Sequence, residues 1–385
     1  MNLELTEEQK LIQETARQFA AERLAPIAAR LDLEGDRESF LANLKELACL
    51  GFMGLNVSQT YGGSETGSVA FSLAITELAR ACASTAVTVS VNNMVCELIQ
   101  SVGSEEQKQR YLPRICSGSY PAASFALTEP GAGSDAAALA TRAEPDGAGW
   151  RLSGTKVFIT SAPYAGVFVV WAVTDPAAAK GGGISCFLVE AGTPGLVVGR
   201  EELKTGQRAS ATNEVLLENC RVPAEALLGR LNDGYRIAMS ELAGGRIGIG
   251  SLALGVGLAA MDFATSYASQ RVQFERKLVE FEALQWMIAD SYTELEAARL
   301  LLMNAAFRKE TGKSFAKEAS MAKLFASDAA NRACYKAVQM LGGYGYTASY
   351  PVERFARDAR ITSIYEGTNE IQRLIIAREV LRSFS

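Results

Sequence analysis

The sequence predicts an α+β protein in three parts: an N-terminal helical domain, a middle antiparallel β-domain and a C-terminal helical domain. Three observations carry this. Apolar residues recur at helical spacing up to about residue 120 and again from about 233. Between those stretches, short β-branched and aromatic runs are broken by Gly, Pro and Asp. No strand–helix alternation occurs, which speaks against a doubly wound nucleotide fold. The expected domains are 1–120, 121–230 and 231–385.

The elements follow in order. Thr6-Glu7-Glu8-Gln9 has the T-x-x-Q pattern of a capping box, and Leu11, Thr15, Phe19 and Arg23 continue at fours. Further helices are expected over 38–50, 68–82 and 84–101, and a capped one from Ser104. Strands are expected at 157–160, 167–173, 184–189, 196–198 and 215–217. Turns such as Gly181-Gly182-Gly183 and Gly192-Thr193-Pro194-Gly195 separate them. Helix returns near 233, and Arg271-Val272-Gln273-Phe274 ends it. Over 281–310 the apolar positions step by three and four, the mark of a long amphipathic helix in a bundle. A third helix runs from 314 to the stop at Gly342-Gly343, and a last one covers 369–382.

Composition narrows the function. The 385 residues are 48% hydrophobic and 21% charged, with a net charge of −5. That balance argues against a general nucleic-acid or membrane-surface binder, while leaving room for local basic sites. Histidine is absent. This removes Ser-His-Asp and Cys-His catalysis and most zinc chemistry, so no metal is expected and any base must be Glu, Asp, Lys, Tyr or Cys. The seven cysteines, Cys49, Cys82, Cys96, Cys116, Cys186, Cys220 and Cys334, contain no CxxC spacing. They read as small buried thiols in a reducing compartment. The stretch from Met1 to Lys10 is acidic and polar, unlike a signal peptide. No run approaches ~20 apolar residues, so no membrane span is expected, and the expected location is cytoplasmic.

Four motifs carry candidate chemistry. Leu127-Thr128-Glu129-Pro130-Gly131-Ala132-Gly133-Ser134-Asp135 is a loop whose backbone can approach a flat or phosphorylated ligand; it also fits a plain inter-strand turn. In Gly244-Gly245-Arg246-Ile247-Gly248-Ile249-Gly250 no strand precedes the glycines, so a dinucleotide fingerprint is rejected. Gly244, Gly248, Ser251 and Gly255 instead share a helix face that permits close packing. Arg246, a lone charge there, suits an anionic group or a surface ion pair. In Ile364-Tyr365-Glu366-Gly367-Thr368-Asn369-Glu370-Ile371-Gln372, Thr368 or Asn369 can cap the following helix. Glu366 then either points into a cleft as a base or sits in solvent beside a helix dipole. Arg271 followed by Phe274 can hold a phosphate and an adenine, though the signal alone is weak.

Taken in order, these segments resemble the acyl-CoA dehydrogenase family, its short-chain members above all. The stretches TEPGAGSD (128–135), GRIGI (245–249), QMLGGYGY (339–346), RDARI (357–361) and IYEGTNEIQR (364–373) carry the resemblance. It implies a C-terminal four-helix-bundle domain, a homotetramer, FAD held between domains and subunits, an acyl-CoA substrate and an electron-transferring flavoprotein as acceptor. It implies Glu366 as the catalytic base. Phe125, Leu127, Thr128, Gly133 and Ser134 match the loop over the flavin ring, and Phe158, Ile159 and Thr160 the strand beside it. Arg271, Phe274, Gln339 and Gly343 match positions reaching the FAD of a neighbouring subunit, and Thr368 and Glu370 the turn on the pyrophosphate side. Ser134, Arg246 and Gly367 match acyl-CoA contacts.

The sequence also departs from that pattern. Ala243 stands where short-chain members often have Asp, Glu275 where Gly follows the Arg-x-x-Phe, Glu282 where Gln assists FAD, and Phe158 where Trp is frequent. Two extra acidic residues near a pyrophosphate weaken FAD affinity unless neighbours such as Arg276 or Lys277 pair with them. Helix 85–99, which lines the acyl end in the family, has no Arg or Lys, which disfavours dicarboxylic thioesters; its Asn92 and Asn93 can face a small or polar acyl group. The expected reaction is FAD-dependent α,β-dehydrogenation of a short-chain acyl-CoA to the 2-enoyl-CoA, in fatty acid metabolism. The alternatives are a flavin oxidase or monooxygenase of the same fold, or a non-catalytic CoA-thioester-binding member.

Overall fold

A computed structural model describes residues 4–384, the side chain of Ser383 apart; the first three residues of the acidic N-terminal stretch lie outside it. The N-terminal part is helical: α1 (Glu7–Phe19), α2 (Ala28–Glu34), α3 (Arg37–Cys49), α4 (Gly67–Ala81), α5 (Ala83–Val102) and α6 (Glu105–Cys116). The expected capping box at Thr6 forms, and the capped helix expected at Ser104 starts with a capping box too. Thr6 with Gln9 starts α1 and Ser104 with Gln107 starts α6, each pair satisfying two orphan backbone donors. Helices α4 and α5 are buried on nearly every side, which explains their sparse charge.

The middle part holds β1 (Ala122–Ala126), β2 (Arg142–Asp146), β3 (Gly149–Thr160), β4 (Ala165–Val173), β5 (Ile184–Glu190), β6 (Leu196–Glu201), β7 (Thr212–Pro223) and β8 (Leu227–Leu228). They form one sheet in the order β6-β7-β3-β2-β4-β5-β8, with β1 also on β4. Most pairings are antiparallel, as expected, but β4 runs parallel to β1 and, at one bridge, to β2. The long connection between β1 and β4 makes a parallel pair possible, since that geometry needs a crossover of a dozen residues or more. Along β4, Val167, Val169 and Trp171 join one core cluster while Phe168, Val170 and Ala172 join another. Both faces are therefore covered, and Trp171 Nε1 donates to Gly234 O at 2.8 Å, tying the sheet to the next helix.

That helix, α7 (Gly234–Gln270), spans 37 residues and packs against α4, α5, α8 (Glu282–Glu310) and α9 (Ala316–Leu341). By length and composition α7 is apolar enough to cross a membrane, against the expectation that no stretch is; most of its apolar window is buried inside the protein. It ends at Gln270 rather than running on into the 271–274 stretch. There a hairpin of β9 (Val272–Gln273) and β10 (Arg276–Lys277) turns the chain back. The predicted close-packing face is real for three positions. A methyl on Gly255 would overlap the Thr76 carbonyl of α4, one on Gly248 would overlap Ser90 of α5, and Ser251 Oγ lies 2.7 Å from Ser72 Oγ. Gly244 faces Lys309 of α8 instead. Two helices finish the chain, α10 (Val352–Arg360), which the sequence reading omits, and α11 (Asn369–Leu381). All seven cysteines are free; six are buried and Cys49 is exposed.

Candidate active site

Glu366 occupies the turn before α11, and its backbone is left-handed at φ 54°, followed by Gly367 at 85°. A non-glycine residue there costs about 1–2 kcal/mol, so something must hold it. Gln372 Nε2 donates to the carbonyls of Glu366 and Gly367 at 3.1 and 2.8 Å. Lys323 Nζ, from the inward face of α9, donates to Gly367 O at 3.0 Å and Asn369 Oδ1 at 3.1 Å. Thr368 Oγ1 caps α11 by accepting from the Ile371 amide. The turn thus points Glu366 inward; the solvent-exposed alternative does not describe it.

The carboxylate lies against α7 and α5. A methyl built on Gly245 would stand 3.1 Å from Glu366 Oε2 and 2.8 Å from Met94 Sδ, so the carboxylate and the thioether both lie against this glycine. Oε2 is sealed from solvent and has no hydrogen-bond partner among the described residues. Burial pushes the Glu366 carboxyl up to about 7, against the opposing pull of Arg246 and Lys323. Burial likewise pulls the Lys323 ammonium down to about 8. Arg246 is 5% exposed, so it is no surface ion pair; its Nη1 donates to Ser320 Oγ at 3.4 Å and its Nε has no partner among the described residues. One carboxylate thus faces two cations in a dry setting.

The 127–135 loop is built separately. Glu129 accepts from the amides of Ala140 and Thr141 and from Lys156 Nζ, the last at 2.7 Å. Lys156 is wholly buried and also donates to Leu127 O at 3.2 Å, and the Val157 amide donates to Thr128 O at 2.9 Å. A buried ion pair therefore fastens the loop to β3. Phe158 sits at a bulge in the β3–β7 register with φ 58° and is 64% exposed, so its ring stands clear of the sheet. Ile159 faces the core and Thr160 O accepts from Ser124 Oγ, so these two offer a ligand little but backbone. Phe125 packs on Trp171 at 4.3 Å between centroids, and Phe125 and Leu127 share a cluster with Ile237, Ala238 and Leu242 of α7. Gly133 and Ser134 are exposed at the loop's tip, with open space around Gly133.

A second patch lies at the far end of α7. Arg271, Gln339 and Gly343 line a cleft of about 670 Å³ together with Tyr267, Leu278, Met287 and Tyr344. Arg271 sits over the Tyr344 ring at 5.8 Å. Phe274 is not in that lining; it is 89% exposed at the hairpin tip, against Phe281. The pairing that would relieve Glu275 and Glu282 does not form: both are exposed, neither makes an ion pair among the described residues, and Arg276 stacks on Phe281 instead. From Gly245 to Gln270 the helix rises roughly 37 Å at 1.5 Å per residue, too far for one dinucleotide to join both patches of one chain. Each patch separately suits part of FAD: a loop and a projecting aromatic for the flavin ring, a cationic cleft with free backbone for the diphosphate and adenine. Glu370 is exposed in the first turn of α11, near Arg373, and the Gly367 carbonyl is already taken by Lys323 and Gln372.

Sequence reasoning missed Lys323, Lys156 and Met94. The signal for Lys323 is a lone lysine among Ala319, Ala322, Ala326 and Ala330, on the buried face of α9. Asn92 and Asn93 do not face an acyl group. They bond the backbone of Phe52, Met53, Leu55, Val89 and Ala123, and so hold the N-terminal loop and β1 onto α5.

Comparison with known proteins places the chain as a whole. The N-terminal, middle and C-terminal domains described for acyl-CoA dehydrogenases match residues 6–119, 124–220 and 232–381. The mitochondrial short-chain specific acyl-CoA dehydrogenase of Bos taurus is 46% identical over 384 residues, covering 100% of this chain and 92% of that protein. The structure of butyryl-CoA dehydrogenase from Megasphaera elsdenii superposes with a TM-score of 0.96 at 39% identity, covering 99% of this chain and 100% of the other. A chain from the structural work on the electron transferring flavoprotein of Acidaminococcus fermentans gives the same TM-score at 42% identity, with coverage of 99% and 100%.

Proposed function

We propose a function from one premise: the chain belongs to the acyl-CoA dehydrogenase family. It is an FAD-dependent oxidoreductase acting on CH–CH bonds. The reading we propose is α,β-dehydrogenation of a short-chain acyl-CoA to the 2-enoyl-CoA, as part of fatty acid metabolism, with Glu366 as the base. The observation that supports it is the Glu366 carboxylate, whose Oε2 is sealed and has no hydrogen-bond partner among the described residues, held by a strained turn.

The α-hydrogen of a thioester is a weak acid, so its removal needs a strong base and stabilised negative charge on the carbonyl. Burial raises the basicity of Glu366 toward that task. Glu366 takes the α-proton onto a carboxylate oxygen, and the Cα–Cβ double bond forms as the β-hydrogen departs with its electron pair. The acceptor for that hydride is what FAD would supply when bound. Arg246 and Lys323 place positive charge beside Glu366, which favours the negative charge that grows on the substrate. Phe125, Leu127, Thr128, Gly133, Ser134, Phe158, Ile159 and Thr160 would hold the flavin side. Thr368 and Glu370, in the turn after the base, would hold the pyrophosphate side, while Arg271, Phe274, Gln339 and Gly343 would reach the diphosphate and adenine of a flavin seated mainly on another copy. The separation along α7 supports that sharing between copies, which in this reading are those of a homotetramer. Ser134, Arg246 and Gly367 would meet the acyl-CoA, and an electron-transferring flavoprotein would reoxidise the enzyme.

The test is anaerobic mixing with butyryl-CoA while flavin bleaching is followed. Glu366→Gln should keep FAD and lose roughly 10²–10⁴-fold in the reduction rate. Unchanged bleaching in that variant removes Glu366 as the base.

A further inference from the structure

The Glu366 reading fixes where the acyl Cα must lie, and the fold around it then has two unlike directions. Toward the start of α7, Glu241, Leu242 and Gly244 are only partly buried. Facing them is an ion pair between Lys309 of α8 and Glu97 of α5, also partly exposed, with Asn56 donating to Glu97 at 2.6 Å. That side is polar and reaches solvent, as a large charged CoA requires. In the other direction every α7 residue from 245 to 257 is buried, and so is every α5 residue from 83 to 96. An apolar acyl tail has only this closed side to enter.

The closed side ends quickly. One turn beyond Gly245, a methyl on Gly248 would overlap Ser90 Oγ and stand 3.2 and 3.4 Å from Cζ and Cε1 of Phe71. Phe71 comes from α4, is 5% exposed and belongs to the main core cluster, so moving its ring means repacking the core. Gly245 and Gly248 are separated by a rise of about 4.5 Å, which leaves length for a short tail only. Met94 lies at the side of this space with its sulfur near Gly245, and an unbranched thioether can be displaced. We propose that Phe71, with Ser90 beside it, is the end wall of the acyl site and sets the chain length accepted. This rests on Glu366 being the base, because that carboxylate is the origin from which depth is counted.

The experiment follows anaerobic flavin bleaching with butyryl-, hexanoyl-, octanoyl- and dodecanoyl-CoA in the FAD-loaded wild type, Phe71→Ala and Phe71→Leu. The wild type should prefer butyryl-CoA. Phe71→Ala should raise the rate ratio of octanoyl- to butyryl-CoA roughly ten- to hundred-fold, and Phe71→Leu, which disturbs packing least, should move it the same way by less. Octanoyl-CoA matching butyryl-CoA in the wild type overturns the proposal even if neither variant folds. An unchanged ratio in a folded variant also overturns it. Bleaching of the wild type by none of these thioesters overturns the dehydrogenase reading itself, which separates that failure from this one.

Discussion

The turn at Glu366 and the hairpin tip at Phe274–Glu275 use the same backbone device in opposite settings. Both place non-glycine residues in the left-handed region, at φ 54° for Glu366 and at 53° and 62° for Phe274 and Glu275. Around Glu366 the strain is over-determined by Lys323, Gln372, Thr368 and Asn369. Around Phe274 and Glu275 no comparable scaffold exists among the described residues, and both side chains face solvent. Strain that a protein holds with buried bonds marks a position it must keep; strain held by little marks a surface made to be finished by something else. The base turn is braced within one chain, whereas the hairpin tip has no comparable bracing among the described residues.

The largest expected effect tests the first half of this contrast. Burial holds the Glu366 carboxyl at about 7 instead of 4.5. A folded value raised above the unfolded one gives stability that is fully present below 4.5 and lost as pH rises through 7. Glu366→Gln should therefore be the more stable protein at pH 8, by at most about 3 kcal/mol at 1.36 kcal/mol per pH unit, with the gap closing below pH 4.5. Thermal unfolding of the two proteins across that range measures it, and a gap independent of pH would mean that the carboxylate is not held under tension. Next in size, Arg271→Ala should weaken FAD binding by about 1.5–3 kcal/mol through loss of a charged donor, while the reduction rate of protein saturated with FAD stays near the wild-type value. Loss of that saturated rate would place Arg271 in the chemistry and erase the division between the two regions.

Two smaller effects sharpen it further. Lys323→Met removes a cation that pulls the Glu366 carboxyl down, so the rise of flavin reduction with pH should shift to higher pH. A pH profile that does not move leaves Lys323 as a backbone prop alone. Glu275→Gly replaces a strained residue with the one that tolerates φ 62°. It should stabilise the protein by about 1 kcal/mol and tighten FAD by removing an unpaired negative charge. A lower melting temperature in this variant would show that the hairpin strain is compensated within the chain.

Much of the architecture could be read from local patterns because local patterns caused it. Capping boxes at Thr6 and Ser104 and the period-three-and-four spacing over 281–310 depend on neighbours in sequence. Partners are another matter. Alternation marks β4 as a strand but says nothing of its parallel pairing with β1. Helix α5 is buried all round, so its sequence cannot say which wall each residue faces, and Asn92 and Asn93 turn toward backbone rather than ligand. At the site, Glu366, Arg246 and the 127–135 loop were legible as motifs. Lys323 and Lys156 were not, because a buried lysine looks like a surface one until its carbonyl and carboxylate partners, tens of residues away, are known.

The ion pair between Lys156 and Glu129 has one more consequence. Its bonds are all internal, so the loop has its shape before any cofactor arrives. If this loop seats the isoalloxazine as proposed, its capture needs no ordering of a floppy segment, and little entropy is surrendered at that step. The empty protein should accordingly resist proteolytic nicking at this loop as well as the yellow one does.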